Sequence, residues 1–101
     1  MFSIFSDPPH QPTVTGMPER STLNVSDTLS LTCTAAKTGG APTYFEWYKG
    51  NTKIEDVGYM GTTLKLEAVN MTSAGVYSCK ACNCHGESSA SVSELLIVKG
   101  K

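Results

Sequence analysis

An all-β chain folded as two packed sheets is what this sequence predicts, and three observations carry the expectation. Cys33 and Cys79 bracket Trp47. The second cysteine closes the run Gly75-Val76-Tyr77-Ser78-Cys79. Between these anchors apolar and polar residues alternate with a period of two, the pattern of half-buried strands. Together they fit a sandwich pinned by one bridge, with the indole against its sulfurs and the Tyr77 hydroxyl bonded back to the preceding corner. Closing a loop of this length restricts the unfolded chain by roughly 4 kcal/mol in chain-entropy terms. The indole supplies large apolar area to a small core.

Taken in order, Asp7-Pro8-Pro9-His10-Gln11-Pro12 cannot pair centrally in a sheet, because proline lacks the amide donor. It reads as a stiff lead-in, residues 1–11 being a linker and residues 12–99 a single domain with a short tail at 100–101. Thr13 to Thr15 is an edge strand broken by Gly16-Met17-Pro18, and Ser21 to Val25 is a second edge segment. Thr28-Leu29-Ser30-Leu31-Thr32-Cys33 alternates strictly, which points Leu29, Leu31 and Cys33 inward. After the loop Thr38-Gly39-Gly40-Ala41-Pro42, Tyr44 to Lys49 is a strand with Phe45 and Trp47 inward and Glu46 and Tyr48 outward.

Gly50-Asn51 turns the chain into a short strand near Lys53-Ile54, and Glu55 to Gly61 is an irregular crossover carrying Tyr59 and Met60. Thr63-Leu64-Lys65-Leu66-Glu67 alternates again, with Leu64 and Leu66 in the core. Gly75 to Asn83 carries the second cysteine, and Cys84-His85-Gly86 turns back. Ser88 to Val98 is the closing strand. Its Leu95-Leu96-Ile97-Val98 is apolar on both faces, so either a bulge shifts the register or one face covers something beyond the core.

Composition narrows the function. The chain has 101 residues, enough for one domain, and its 40% hydrophobic content supports a thin core that benefits from a covalent staple. The net charge of −1 and the scattered Lys and Arg argue against nucleic acid or an anionic membrane as partner. No apolar run approaches the roughly 18 residues of a membrane span. Met1-Phe2-Ser3-Ile4-Phe5 lacks the basic start of a signal peptide. Four cysteines in a short β-rich chain favour an oxidising compartment. Two glycosylation sequons, Asn24-Val25-Ser26 and Asn70-Met71-Thr72, agree with it. Both fall outside the expected core.

The combination Cys33, Trp47, Leu64-Lys65-Leu66, Gly75-Val76-Tyr77-Ser78-Cys79-Lys80-Ala81, Asn83 and Gly86 resembles the immunoglobulin superfamily from about Pro12 to Val98. The short stretch from Trp47 to Cys79 is closer to the intermediate or constant-like sets of adhesion molecules and receptors than to variable domains. The resemblance implies an immunoglobulin-like two-sheet Greek-key sandwich with an inter-sheet Cys33–Cys79 disulfide. It also implies a non-catalytic extracellular module that binds proteins or spaces a tandem array. One departure is Ser73, where the family usually carries Asp before the corner; a hydroxyl caps that turn more weakly. The alternatives are a structural module of an intracellular filament protein, with reduced cysteines, and an immune-type domain that binds ligand with its end loops.

Catalysis is not expected. His10 lies in the lead-in, His85 in a turn, no serine has a nucleophile-elbow context, and Gly39-Gly40 opens no phosphate-binding helix. No cofactor or metal is expected either. Cys82 and Cys84 lie outside the resemblance. Alternation from inward Cys79 points Cys82 outward and exposed, and the favoured reading is a local Cys82–Cys84 bridge. A covalent dimer through Cys82 or Cys84, free thiols, and a metal site with His85 are the other readings. Tyr44, Tyr48 and Tyr59 are candidate partner contacts, since tyrosine is enriched in binding patches. For each of them the favoured reading is cover for a sandwich edge, since a single exposed aromatic needs no partner to explain it.

Overall fold

Alternation decides where the strands lie. In Leu29-Ser30-Leu31-Thr32-Cys33-Thr34 every odd residue is buried and every even one exposed, as a strand with one face on a core requires. The computed structural model describes residues 7–55 and 61–100. Its strands are β1 (Thr13–Thr15), β2 (Thr22–Asn24), β3 (Leu29–Thr34), β4 (Tyr44–Lys49), β5 (Thr52–Ile54), β6 (Thr63–Leu66), β7 (Gly75–Asn83), β8 (Gly86–Glu87) and β9 (Glu94–Lys99). One sheet has the order β1-β3-β6 and the other β2-β9-β7-β4-β5, with β8 paired to β7. The two-sheet, all-β expectation holds. The irregular crossover with Tyr59 and Met60 falls mostly outside the described residues.

The chain changes sheet between β1 and β2. Gly16 has φ +105°, and a Cβ there would stand 2.5 Å from the Ser30 carbonyl oxygen, so only glycine permits the approach. β1 then lies antiparallel on β3, while β2 lies parallel on β9. Between the sheets sit Leu29, Leu31, Leu64, Val69, Leu96 and Val98 around fully buried Trp47 and Cys79. Leu66 is partly buried against this cluster. Cys33 and Cys79 are disulfide-bonded, which ties β3 to β7 across the interface. Trp47 stands opposite Cys79 in the β4–β7 register and donates from Nε1 to the Gly61 carbonyl at 2.6 Å.

The corner before β7 shows how Ser73 serves in place of the expected Asp. Asn70 Oδ1 accepts from the Thr72 amide, and Ser73 Oγ accepts from the Asn70 amide, a reciprocal capping box around the short 3-10 turn Met71–Ser73. The Tyr77 hydroxyl donates to the Ser73 carbonyl. Burial, and nothing else of weight, holds the Tyr77 phenol above its usual pKa. Tyr77→Phe removes the donor and leaves that carbonyl without its partner. We expect a loss of about 1–3 kcal/mol in denaturant unfolding with the fold retained; an unchanged midpoint would show that the corner contributes nothing.

The closing strand is shorter than expected. It begins at Glu94, and residues 88–93 run beside β7 without a regular ladder. Serine hydroxyls replace carbonyls there: the Cys79 amide donates to Ser91 Oγ at 3.0 Å and the Ala81 amide to Ser88 Oγ at 2.9 Å. The Ser88 and Ser91 amides donate in turn to the Ala81 and Cys79 carbonyls. No backbone group of β7 is orphaned at these positions, so the ladder can be abandoned at little cost. Within β9 the alternation is regular, with Leu96 and Val98 buried and Leu95 and Ile97 exposed. Of the two sequence readings, a bulge is excluded there, and an apolar outer face remains.

Candidate functional site

The outer face of the larger sheet gathers the residues with binding chemistry. β4 presents Tyr44, Glu46 and Tyr48, and β7 opposes them with Cys82, Lys80 and Ser78 in register. Lys53 of β5 stands opposite Tyr48, and Glu87 of β8 opposite Cys82. Period two on neighbouring strands places all of these on one surface. Lys53 Nζ pairs with Glu46 Oε2 and Lys80 Nζ with Glu87 Oε1, both at 2.9 Å. The Tyr48 hydroxyl donates to Glu46 Oε1 at 3.2 Å, and Lys80 Nζ stands 5.1 Å from the centre of the Tyr48 ring.

The electrostatics follow from those contacts. Hydrogen bonding from Lys53 draws the Glu46 carboxyl below its usual pKa, against the opposing effect of partial burial. Lys53 and Lys80 are each held above the usual lysine value by the hydrogen bond to their carboxylate. Burial first, then the nearby Glu46 charge, raises the Tyr48 phenol. Pairs of this kind at a solvated surface add little to stability. Their effect is to fix side chains in place, so that a partner meets an ordered surface with both signs of charge. A polar cavity of about 360 Å³ opens beside it, between Tyr48, Asn51, Ser78, Lys80 and Ser93.

The two remaining cysteines differ from the expectation of a local bridge. Both are free thiols, Cys82 buried and Cys84 exposed. Cys82 does point away from the sandwich core, as alternation requires, yet it is only 2% exposed. The difference from the expected exposure arises because Tyr44, opposite it on β4, and Glu46 and Glu87 cover the outer face there. Burial, then the Glu46 charge, raises the Cys82 thiol above its usual pKa. Cys84 lies in the turn between β7 and β8. Only a thiolate attacks an alkylating agent, so the folded protein should take up one equivalent rapidly at Cys84 and react slowly at Cys82. Equal rates at the two positions would contradict the buried placement.

Glu46, Cys82 and Glu87 do bring one donor atom each within 4.8 Å of one another. The chemistry is poor for a cation: each carboxylate already holds a lysine, and burial disfavours the Cys82 thiolate that a metal would need. Cys84 and His85, which the sequence suggested as ligands with Cys82, stand in the exposed turn instead.

A second cluster forms at the end of the sandwich. Asn83 Nδ2 donates to the Asp7 carbonyl at 2.8 Å and the Ala41 carbonyl at 3.3 Å, and Asn83 Oδ1 accepts from the His85 amide. The Gly40 amide donates to the Pro8 carbonyl, Pro9 bridges Gly39, and His10 Nδ1 meets Thr38 Oγ1 at 2.8 Å. The described part of the proline-rich lead-in therefore lies along loop 38–41 and restrains it. Loop 38–43 and the turn at 83–87 share this end.

Of the three tyrosines, Tyr44 is exposed, Tyr48 is half-buried beneath Lys80, and Tyr59 lies outside the described residues. Sequence reasoning passed over Lys53, Lys80 and Glu87. Lys80 was reachable: outward Glu46 and the Trp47–Cys79 pairing together place it opposite Glu46. Asn24 and Asn70 are both exposed.

Comparison with known proteins agrees with this architecture. A family model described as "Immunoglobulin domain" matches residues 11–83. Vascular endothelial growth factor receptor 2 of Mus musculus is 34% identical over 95 residues, which is 88% of this chain. The chain spans only 7% of that receptor's length. Among solved structures, murine CEACAM1b superposes with a TM-score of 0.74 at 20% identity, covering 91% of this chain and 46% of that one. Mouse nectin-like molecule 4 superposes with a TM-score of 0.63 at 27% identity, covering 93% of this chain and 31% of its ectodomain.

Proposed function

This chain belongs to the immunoglobulin domain family, and from that premise we propose that it is one extracellular module of a larger receptor or adhesion protein, binding a protein partner through the outer face of its larger sheet. The observation that carries the reading is the interlocked surface of Glu46, Tyr48, Lys53, Lys80 and Glu87, with exposed Tyr44 beside it. It offers aromatic area and both charge signs at low entropic cost, because the side chains are already held. Binding of this kind makes and breaks no covalent bond. Similarity to a receptor and to the ectodomain of nectin-like molecule 4 supports it, as does a bridged Cys33–Cys79 pair, which persists in oxidising compartments. No helix among the described residues is long and apolar enough to cross a membrane.

On this reading Asn24 and Asn70 carry N-linked glycans, and Cys84, not Cys82, is the thiol through which a covalent dimer would form. The test is a binding screen of the secreted domain against cell-surface ectodomains, itself included. Tyr48→Ala and Lys80→Glu should weaken capture at least tenfold, whereas Lys65→Glu on the smaller sheet should leave it unchanged. Loss of capture with Lys65→Glu alone would move the site to the other sheet.

A further inference from the structure

Val76, Leu95 and Ile97 form an apolar strip on the outer face of the larger sheet, 39%, 52% and 43% exposed. Val76 and Leu95 are direct partners across β7 and β9, and Ile97 follows Leu95 on the same side of β9. The neighbouring strand β2 runs parallel to β9 with Thr22 opposite Ile97, Leu23 opposite buried Val98, and Asn24 opposite Lys99. Leu23 is packed against the core, so Thr22 and Asn24 face outward with Ile97 and Lys99. The sequon asparagine thus stands on the face that carries the strip. With strands about 4.8 Å apart and a rise of about 3.3 Å per residue, its Cα is roughly 8 Å from that of Ile97.

We infer that the strip is covered by the protein's own glycan: the first two N-acetylglucosamine residues on Asn24 lie across Ile97, Leu95 and Val76. This rests on the extracellular reading above. The carbohydrate has what the strip lacks, ring C–H faces and acetyl methyl groups to cover aliphatic side chains, with hydroxyls left for water. Aliphatic side chains left side by side in water gain free energy from any apolar cover. Three half-exposed side chains are too few for a second copy, since a stable pair buries roughly 800 Å² on each partner. A glycan on Asn24 would also obstruct such an approach.

The experiment uses the domain secreted from eukaryotic cells, with methyl-labelled Val, Leu and Ile, beside Asn24→Gln. Intact mass first reports occupancy at each sequon. With Asn24 occupied, the expected result is NMR contacts from the core acetyl groups to the Leu95 and Ile97 methyls. Fluorescence of a hydrophobic dye should be several-fold higher for Asn24→Gln. The combined variant Leu95→Ser/Ile97→Ser, which touches only outward positions, should abolish that difference. An occupied Asn24 without methyl contacts overturns the inference, as does concentration-dependent dimerisation of the glycosylated domain through the strip. Glycan on Asn70 but not Asn24 overturns it while leaving the extracellular reading intact; glycan on neither removes both.

Discussion

Trp47→Ala is expected to cost about 3–5 kcal/mol, the range for deleting a large aromatic side chain from a core. Trp47 is fully buried, faces Cys79 across the β4–β7 pair, and belongs to the cluster with Leu31, Leu96 and Val69. Truncation empties the volume beside the disulfide, and neither sheet can close on it while the bridge holds β3 and β7 at a fixed separation. The Gly61 carbonyl also loses the indole donor. Trp47→Phe separates the two effects, because it keeps an aromatic ring and removes the N–H. Its expected cost is about 1–3 kcal/mol, that of a buried polar group left unpaired plus a partial cavity. Urea unfolding of the three proteins checks the order wild type, Phe, Ala. Equal losses for Phe and Ala would show that the hydrogen bond, not the packed ring, accounts for the stability of this region.

Sequence alone was enough for the sandwich because its signals are local. Leu29, Leu31 and Cys33 alternate without interruption, so β3 needs no tertiary information to be placed. Trp47 and the Tyr77 corner are fixed likewise by residue types that few other arrangements accommodate. The candidate site was harder to see because it depends on strand register. Glu46 meets Lys53, and Lys80 meets Glu87, each within a local hairpin, but the two pairs form one surface only once β4 and β7, distant in sequence, are aligned. Cys82 illustrates the limit most clearly. Its direction followed from alternation, but its burial comes from neighbouring strands, which one strand's pattern does not reveal. The Ser88–Ser93 segment failed for a related reason: hydroxyls that complete a neighbour's hydrogen bonds read, in sequence, like any alternating strand.

Replacing Cys33 and Cys79 together by alanine should lower stability by about 2–5 kcal/mol, the usual loss when a small domain gives up its native bridge. The pair is separated by 46 residues, so reopening the loop returns on the order of 4 kcal/mol of chain entropy to the unfolded state. Both positions are buried, Cys79 completely and Cys33 to 3% exposure, so each alanine also leaves a small void against Trp47 and Leu31. The single variants should behave worse than the double one in an oxidising medium, since each leaves a thiol that is uncovered when the destabilised domain unfolds and can then be oxidised to a disulfide with exposed Cys84 of another chain. Denaturant unfolding with and without reductant tests the assignment. The wild-type midpoint should fall on reduction towards that of the double alanine variant, which itself should not respond. If reductant leaves the wild type unchanged, the bridge is not what holds the two sheets together.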